Sequence, residues 1–450
     1  MKKVIISFIV LILASVPLWG LNKYRGANFI SFGVKEELGT ARSFRSLDTL
    51  KEAELNTLVI PVTWFQNTTN ANTIFNKTNG YWQTPSDEAL SNLLDYAKEL
   101  GLTTVIKLHV NVTNGDSRTL IEPAAFNTWW SNYKVFADHY AVICRQKNVD
   151  IFIIGTELKK LAGTSYLNYW KVLAQDIRKT YSGSITYSAN WDNYQNVSFW
   201  SEMDIIGLDV YFPLIAQNTV TIDQIEGAWQ SCQVIGTYYG RNWLQELRNI
   251  SVANSKHVLF TEIGYCSTRA DSVGDSVLAK PWGQPTGSVD MEIQAKAYAG
   301  FIKSFLKEDW FEGFFIWDWR PDPDAGGWND KDFTPQNKPA LEVLKSLKYY
   351  EEDIHHDDLE VITKPGKVDY AGKDTILFKF LSHKPGELIL RIYNKNYRKV
   401  LEKKVMFNDE QEKSITIEYC DLDAKISRGL YFFRIEFNDF KESGRFIIIK

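Results

Sequence analysis

Short apolar runs recur along the first three quarters of the chain, separated by longer stretches in which apolar and polar positions alternate with a helical period. The runs are ANFIS at 27–31, TLVIPVTW at 57–64, TTVIKLHV at 103–110, DIFIIGTE at 150–157, SITYSANW at 184–191, DIIGLDVYF at 204–212, HVLFTEIGY at 257–265 and GFFIWDW at 313–319. Several are rich in Val and Ile without strict alternation, as parallel strands buried on both faces require. Between them, TPSDEALSNLLDYAKELG puts Leu90, Leu93, Leu94, Ala97 and Leu100 on one helical stripe. Thr84 reads as its N-cap, Pro85 as its first helical residue and Gly101 as its stop. Segments 123–147, 165–180, 222–250 and 289–307 carry similar spacing. Eight strand–helix units predict an α/β fold, a (β/α)8 TIM barrel; no Gly-rich phosphate loop favours the rival, a doubly wound open sheet.

The pattern changes near Tyr350. EEDIHHDDLE reads as a charged linker, and the segments beyond it alternate with period two between Pro-Gly, Asn and Gly turns. In GLYFFRIEFN, Tyr431, Phe433, Ile435 and Phe437 form one face, as in a small all-β, Ig-like sandwich. The first residues, MKKVIISFIVLILASVPLWG, have the two lysines, apolar stretch and small residues of a secretory signal peptide. The expected organisation is therefore a leader at 1–20, a barrel at 21–349, a linker at 350–360 and a sandwich at 361–450. A secreted or cell-surface protein follows, and a monomer is expected.

Composition narrows the function. A net charge of −4 gives no electrostatic reason to expect nucleic acid. Fifteen Trp and 22 Tyr suit a protein that stacks flat, hydroxyl-bearing ligands, although a large aromatic core would use them too. Cys144, Cys232, Cys266 and Cys420 show no CxxC spacing, so no zinc site is implied and buried thiols are expected. Asp322 and Asp324 resemble the start of a calcium loop, but Gly326 and the lack of a later Glu argue against one.

In such a barrel the site forms where strands run into the loops that follow them. Two glutamates stand at such ends, Glu157 after the fourth strand and Glu262 after the seventh. A facing pair of carboxyls is what glycoside hydrolysis needs, one protonated for the leaving oxygen and one ionised. The bland alternative is that each merely pairs with Lys107, Lys159 or Arg320. Around them Asn28, Lys107, His109 and Asn190 are candidates to hydrogen-bond sugar hydroxyls. Trp317 is a candidate floor, and Trp191 and Trp282 are candidate flanking stacks. Tyr211 is placed to donate to Glu262 and keep it ionised.

The motifs IGTELK at 154–159, FTEIGY at 260–265, KLHVNV at 107–112, SANW at 188–191, DVYFPL at 209–214 and IWDW at 316–319 resemble glycoside hydrolase family 113. That resemblance implies a retaining (β/α)8 hydrolase of a clan with its acid/base on the fourth strand and its nucleophile on the seventh. Described members are chiefly endo-β-1,4-mannanases acting on mannan-type polysaccharides. It implies Glu157 as acid/base and Glu262 as nucleophile, with carboxyls about 5–5.5 Å apart and no cofactor. Many clan members have an Asn just before the acid/base; Thr156 stands there in this chain. A β-mannosidase, a β-glucanase or a non-catalytic carbohydrate-binding protein are the rival readings. The C-terminal region is similar to the Ig-like and sorting modules of exported bacterial proteins; that implies contact with a cell surface or secretion machinery, and an accessory sandwich, plain or carbohydrate-binding, is the other reading.

Overall fold

The computed structural model describes residues 23–283, 286–347, 359–363, 367–369, 376–382, 385–394, 399–408, 411–417, 429–437 and 440–449. The expected leader, most of the linker and Cys420 lie outside them. Eight parallel strands close into a barrel in the order β1-β10-β7-β6-β5-β4-β3-β2. They are β1 (Tyr24–Phe29), β2 (Thr57–Gln66), β3 (Thr103–Val112), β4 (Ile151–Thr156), β5 (Ser184–Asn190), β6 (Ile206–Asp209), β7 (Val258–Ile263) and β10 (Phe311–Trp319). A two-stranded hairpin, β8 (Thr268–Arg269) with β9 (Ser288–Val289), sits in the loop after β7.

Helices α1 (Ala41–Glu52), α2 (Asp87–Glu99), α3 (Phe126–Gln146) and α4 (Leu167–Thr180) follow the first four strands in turn. Then come α5 (Ile222–Gln230), α6 (Trp243–Asn254), α7 (Met291–Phe305) and α8 (Pro339–Lys345). Three details differ from the periodicity reading. The cap of α2 is Ser86, whose hydroxyl accepts from the Ala89 amide; Thr84 instead donates to the Thr63 carbonyl and ties the loop to β2. The stretch 222–250 is two helices, because Gly236 and Gly240 at positive φ turn the chain between them. No α-helix joins β5 to β6. The segment makes short 3-10 turns instead, and Asn193 and Ser198 tie it to the Lys159 and Ala162 carbonyls of the loop after β4. Phe199 stacks on Trp170 at 4.8 Å and closes the gap.

Inside the barrel Val59, Val105, Ile151, Ile153, Leu259 and Phe315 form a layer beneath the site. Gly26 makes room for it, since a Cβ there would stand 2.7 Å from the Phe315 ring. A larger cluster fills the space between strands and helices. After the charged stretch, β11 (Leu359–Thr363), β12 (Lys367–Asp369), β13 (Ile376–Ser382), β14 (Gly386–Asn394), β15 (Lys399–Phe407), β16 (Gln411–Ile417), β17 (Gly429–Phe437) and β18 (Phe440–Ile449) form two sheets. Their orders are β11-β13-β16 and β12-β18-β17-β14-β15, antiparallel except for β12 with β18. Tyr431, Phe433, Ile435 and Phe437 are buried in their common core, as the alternation requires.

Candidate active site

Three irregularities in strand pairing shape the mouth of the barrel. Between β6 and β7 the register runs Leu208 to Phe260 and then Asp209 to Glu262, so β7 carries one extra residue. This bulge turns both Thr261 and Glu262 inward, where a regular strand would send them to opposite faces. A similar shift lies in β4 between Ile153 and Thr156, and another separates β7 from β10 around Ile316. Just beyond β7, a Cβ on Gly264 would collide with the carbonyl oxygen of Trp317. That glycine lets β7 and β10 approach closely where each delivers a site residue.

Glu262 is held from two sides. Its Oε1 accepts from the Lys107 ammonium at 2.6 Å, and its Oε2 accepts from the Tyr211 hydroxyl at 2.8 Å. Lys107 is fully buried and also donates to Asp209 Oδ1 at 2.9 Å. Asp209, equally buried, accepts at the same oxygen from Ser188 at 2.5 Å and Thr261 at 2.9 Å. His109 Nε2 lies 3.6 Å from Glu262 Oε1, and its ring stacks at 6.0 Å on the partly exposed Trp317. Burial first, then Arg118 and Lys107, pushes the His109 pKa well down, so the imidazole is neutral.

Glu157 stands immediately past β4 with a left-handed backbone, φ 52°. Its Oε1 accepts from Asn190 Nδ2 at 2.7 Å, and the Arg118 guanidinium approaches its Oε2 at 3.4 Å. Arg118 is anchored in turn on Asn111 Oδ1 at 2.6 Å. Desolvation, followed by the Asp209 carboxylate, raises the Glu157 pKa to about 8, against the pull of Arg118. Glu262 is raised too, by burial first and Asp209 second, and is drawn back by Lys107 and Arg118. Three carboxyls meet one ammonium and one guanidinium here, so the charges of the cluster balance when one carboxyl keeps a proton. Glu157, with one amide donor and a distant guanidinium, is the carboxyl suited to keep it.

The structure thus brings Glu157, Glu262, His109, Asn190, Tyr211 and Trp317 together at the mouth of the barrel. Lys107 and Asn28 were read as sugar contacts, and the structure places both beneath the pocket instead. The Lys107 ammonium is enclosed by carboxylates and the Thr261 carbonyl, and Asn28 Nδ2 bridges the Thr261 and Ile316 carbonyls at 3.1 and 3.2 Å. Trp191 and Trp282 lie side by side, rings 5.0 Å apart and 20° from parallel. Trp191 is 8% exposed and Trp282 44%, so the outer indole is the one that offers a face. Arg118 and Ser188 were missed. Arg118 lies six residues past β3 in a loop without periodicity, where its catalytic-face position was the one signal available. Asp322 and Asp324, discounted above as a calcium loop, pair with Arg42 at 2.6 and 3.4 Å.

Among solved structures, a GH113 β-1,4-mannanase in complex form is similar at 24% identity and a TM-score of 0.61, covering 72% of this chain and 98% of that one. The GH113 β-mannanase of Alicyclobacillus acidocaldarius in complex with ManMIm is 23% identical with a TM-score of 0.62, covering 74% and 99%. These likenesses show a shared barrel. No curated protein sequence matches the chain. The model of Glycoside Hydrolase Family 113 matches residues 28–338, well over half of the 450 and the whole of the barrel mouth just described. The chain therefore belongs to Glycoside Hydrolase Family 113, and its barrel is that of a glycoside hydrolase.

Proposed function

We propose that the protein is an exported endo-β-1,4-mannanase that cleaves mannan, glucomannan or galactomannan with retention of configuration. The observation that carries the reading is the unequal setting of two glutamates in one barrel mouth. Glu262, with a lysine on one oxygen and a tyrosine on the other, suits a nucleophile kept ionised. Glu157, largely desolvated and raised to about 8, suits a proton donor at neutral pH. In the first step Glu262 bonds to the anomeric carbon while Glu157 gives its proton to the departing glycosidic oxygen. In the second, ionised Glu157 takes a proton from water, whose oxygen displaces Glu262 and regenerates both groups. Trp317 would underlie the reacting sugar and the outer face of Trp282 a neighbouring one. The strand-end motifs, which resemble a family chiefly of endo-β-1,4-mannanases, support mannan as the substrate. The leader-like first 20 residues support export, and the C-terminal sheets suit an accessory or surface-attachment module.

Incubation with mannohexaose, β-glucan and xylan oligomers tests this reading. Mid-chain cleavage of mannohexaose is expected; release of monosaccharide alone would refute endo action, and cleavage of glucan alone would refute the mannanase. Glu262→Ala should lose turnover and recover with azide, giving a glycosyl azide of inverted configuration. Absence of that product assigns the nucleophile elsewhere.

A further inference from the structure

Beneath the two glutamates lies a buried charge that neither of their roles uses directly. Asp209 is wholly enclosed, so no substrate atom reaches it. Its Oδ1 gathers three donors, Lys107, Ser188 and Thr261, from three different strands, while its Oδ2 has no hydrogen-bond partner. Here one oxygen is committed to fixing an ammonium that also donates to Glu262 and the Thr261 carbonyl.

We propose that Asp209 is a positioning residue of the hydrolysis: it holds the Lys107 ammonium against Glu262 and sets a negative charge beneath Glu157. The proposal rests on the assignment of the two glutamates above. Lys107 without Asp209 would have Glu262 and the Thr261 carbonyl as its anchors and would shift toward them, changing the angle at which Glu262 is held. Glu157 is reached by Lys107 from β3, Arg118 from the following turn, Asn190 and Tyr187 from β5, Asp209 from the end of β6, Tyr211 just past it, and Glu262 from β7, beside which His109 of β3 lies. With His109 neutral, the charges among these are Lys107, Arg118, Asp209 and Glu262. The first two ease ionisation of Glu157 and the last two oppose it, Asp209 being the strongest charged contributor after desolvation.

The alkaline limb of the kcat/KM profile reports the proton on the acid/base. Asp209→Asn removes the charge and keeps the shape, so the limb should move to lower pH by roughly one unit, with kcat reduced and KM unchanged. Lys107→Met removes a positive charge and should move the limb the other way. Where that variant fails to fold, Asp209→Asn combined with Lys107→Met, which leaves the net charge unaltered, should return the limb to its wild-type position. The same displacement is readable without turnover, from the 13C carboxyl signal of Glu157 during a pH titration. A fall in kcat with an unmoved limb and an unmoved carboxyl titration would make Asp209 merely structural. Shifts of the same sign in the Asn and Met variants would also overturn the proposal. Retention of activity by Glu157→Gln would instead refute the underlying assignment, so the two failures are distinguishable.

Discussion

Glu157 combines two unfavourable features, a left-handed backbone and a desolvated carboxyl. For a residue with a β-carbon, that backbone conformation costs about 1–2 kcal/mol, and such strain clusters at functional sites. The raised pKa has a consequence for stability with a definite sign. In the unfolded chain the carboxyl titrates near its ordinary 4.5, in the folded protein near 8. Folding therefore binds a proton between those values, and the contribution of Glu157 to stability is full below pH 4.5 and lost as pH rises toward 8. Glu157→Gln carries no such dependence. Its melting temperature should exceed that of the wild type by a few degrees at pH 8, and the gap should shrink toward pH 5, as differential scanning calorimetry would show. On the proposed assignment, the wild-type activity should fall above pH 8 as Glu157 ionises. Trp282 acts through a face rather than a charge. Its truncation to Ala forfeits one stacking contact, about 0.5–1.5 kcal/mol, so KM on long oligomers should rise roughly twofold to twelvefold with kcat little changed.

β7 is the element on which the site depends most. Its extra residue against β6 is what allows Thr261 to reach Asp209 while Glu262 reaches Lys107 and Tyr211. Immediately afterwards Gly264 lies against the Trp317 backbone with no room for a methyl group. Gly264→Ala must push β7 and β10 apart where they carry Glu262 and Trp317. A displacement near 1 Å at such a point costs on the order of 10²-fold in rate. Steady-state kinetics should show that loss in kcat, while circular dichroism shows an intact barrel. The loop that follows is pinned at several points along its length. The β8–β9 hairpin closes its base, the Leu278 carbonyl accepts from the Leu214 amide at 2.7 Å, and Trp282 rests on Trp191. Long loops in compact domains are commonly functional, and this one delivers an exposed indole to the catalytic face.

At the scale of the whole molecule, the apolar clusters divide at the charged stretch. Among the described residues, those of the barrel draw only on positions before it, and that of the C-terminal sheets only on positions after it. Each part thus buries its own core, the condition for folding alone. A chain ending at Leu347 should fold cooperatively and hydrolyse mannohexaose with unchanged kcat/KM. A large loss of either, by calorimetry or by chromatography of the products, would show that the barrel needs the sheets.

The sequence alone determined the class of fold, because burial on both faces of a parallel strand and on one stripe of a helix leaves different hydrophobic periods. It also singled out Glu157 and Glu262, since charged residues at the ends of apolar runs stand out against that period. What tertiary structure decided was which polar side chains sit under the pocket and which face into it. Lys107 and Asn28 share strand positions with residues that line the mouth, and only closure of the barrel turns the first toward Asp209 and the second toward two carbonyls. Arg118 and the bulge in β7 leave no periodic trace either. Both arise from contacts between segments far apart in the chain, Arg118 with Glu157 and Asp209 with Glu262, and strand register is set by partners that a single run of residues does not contain.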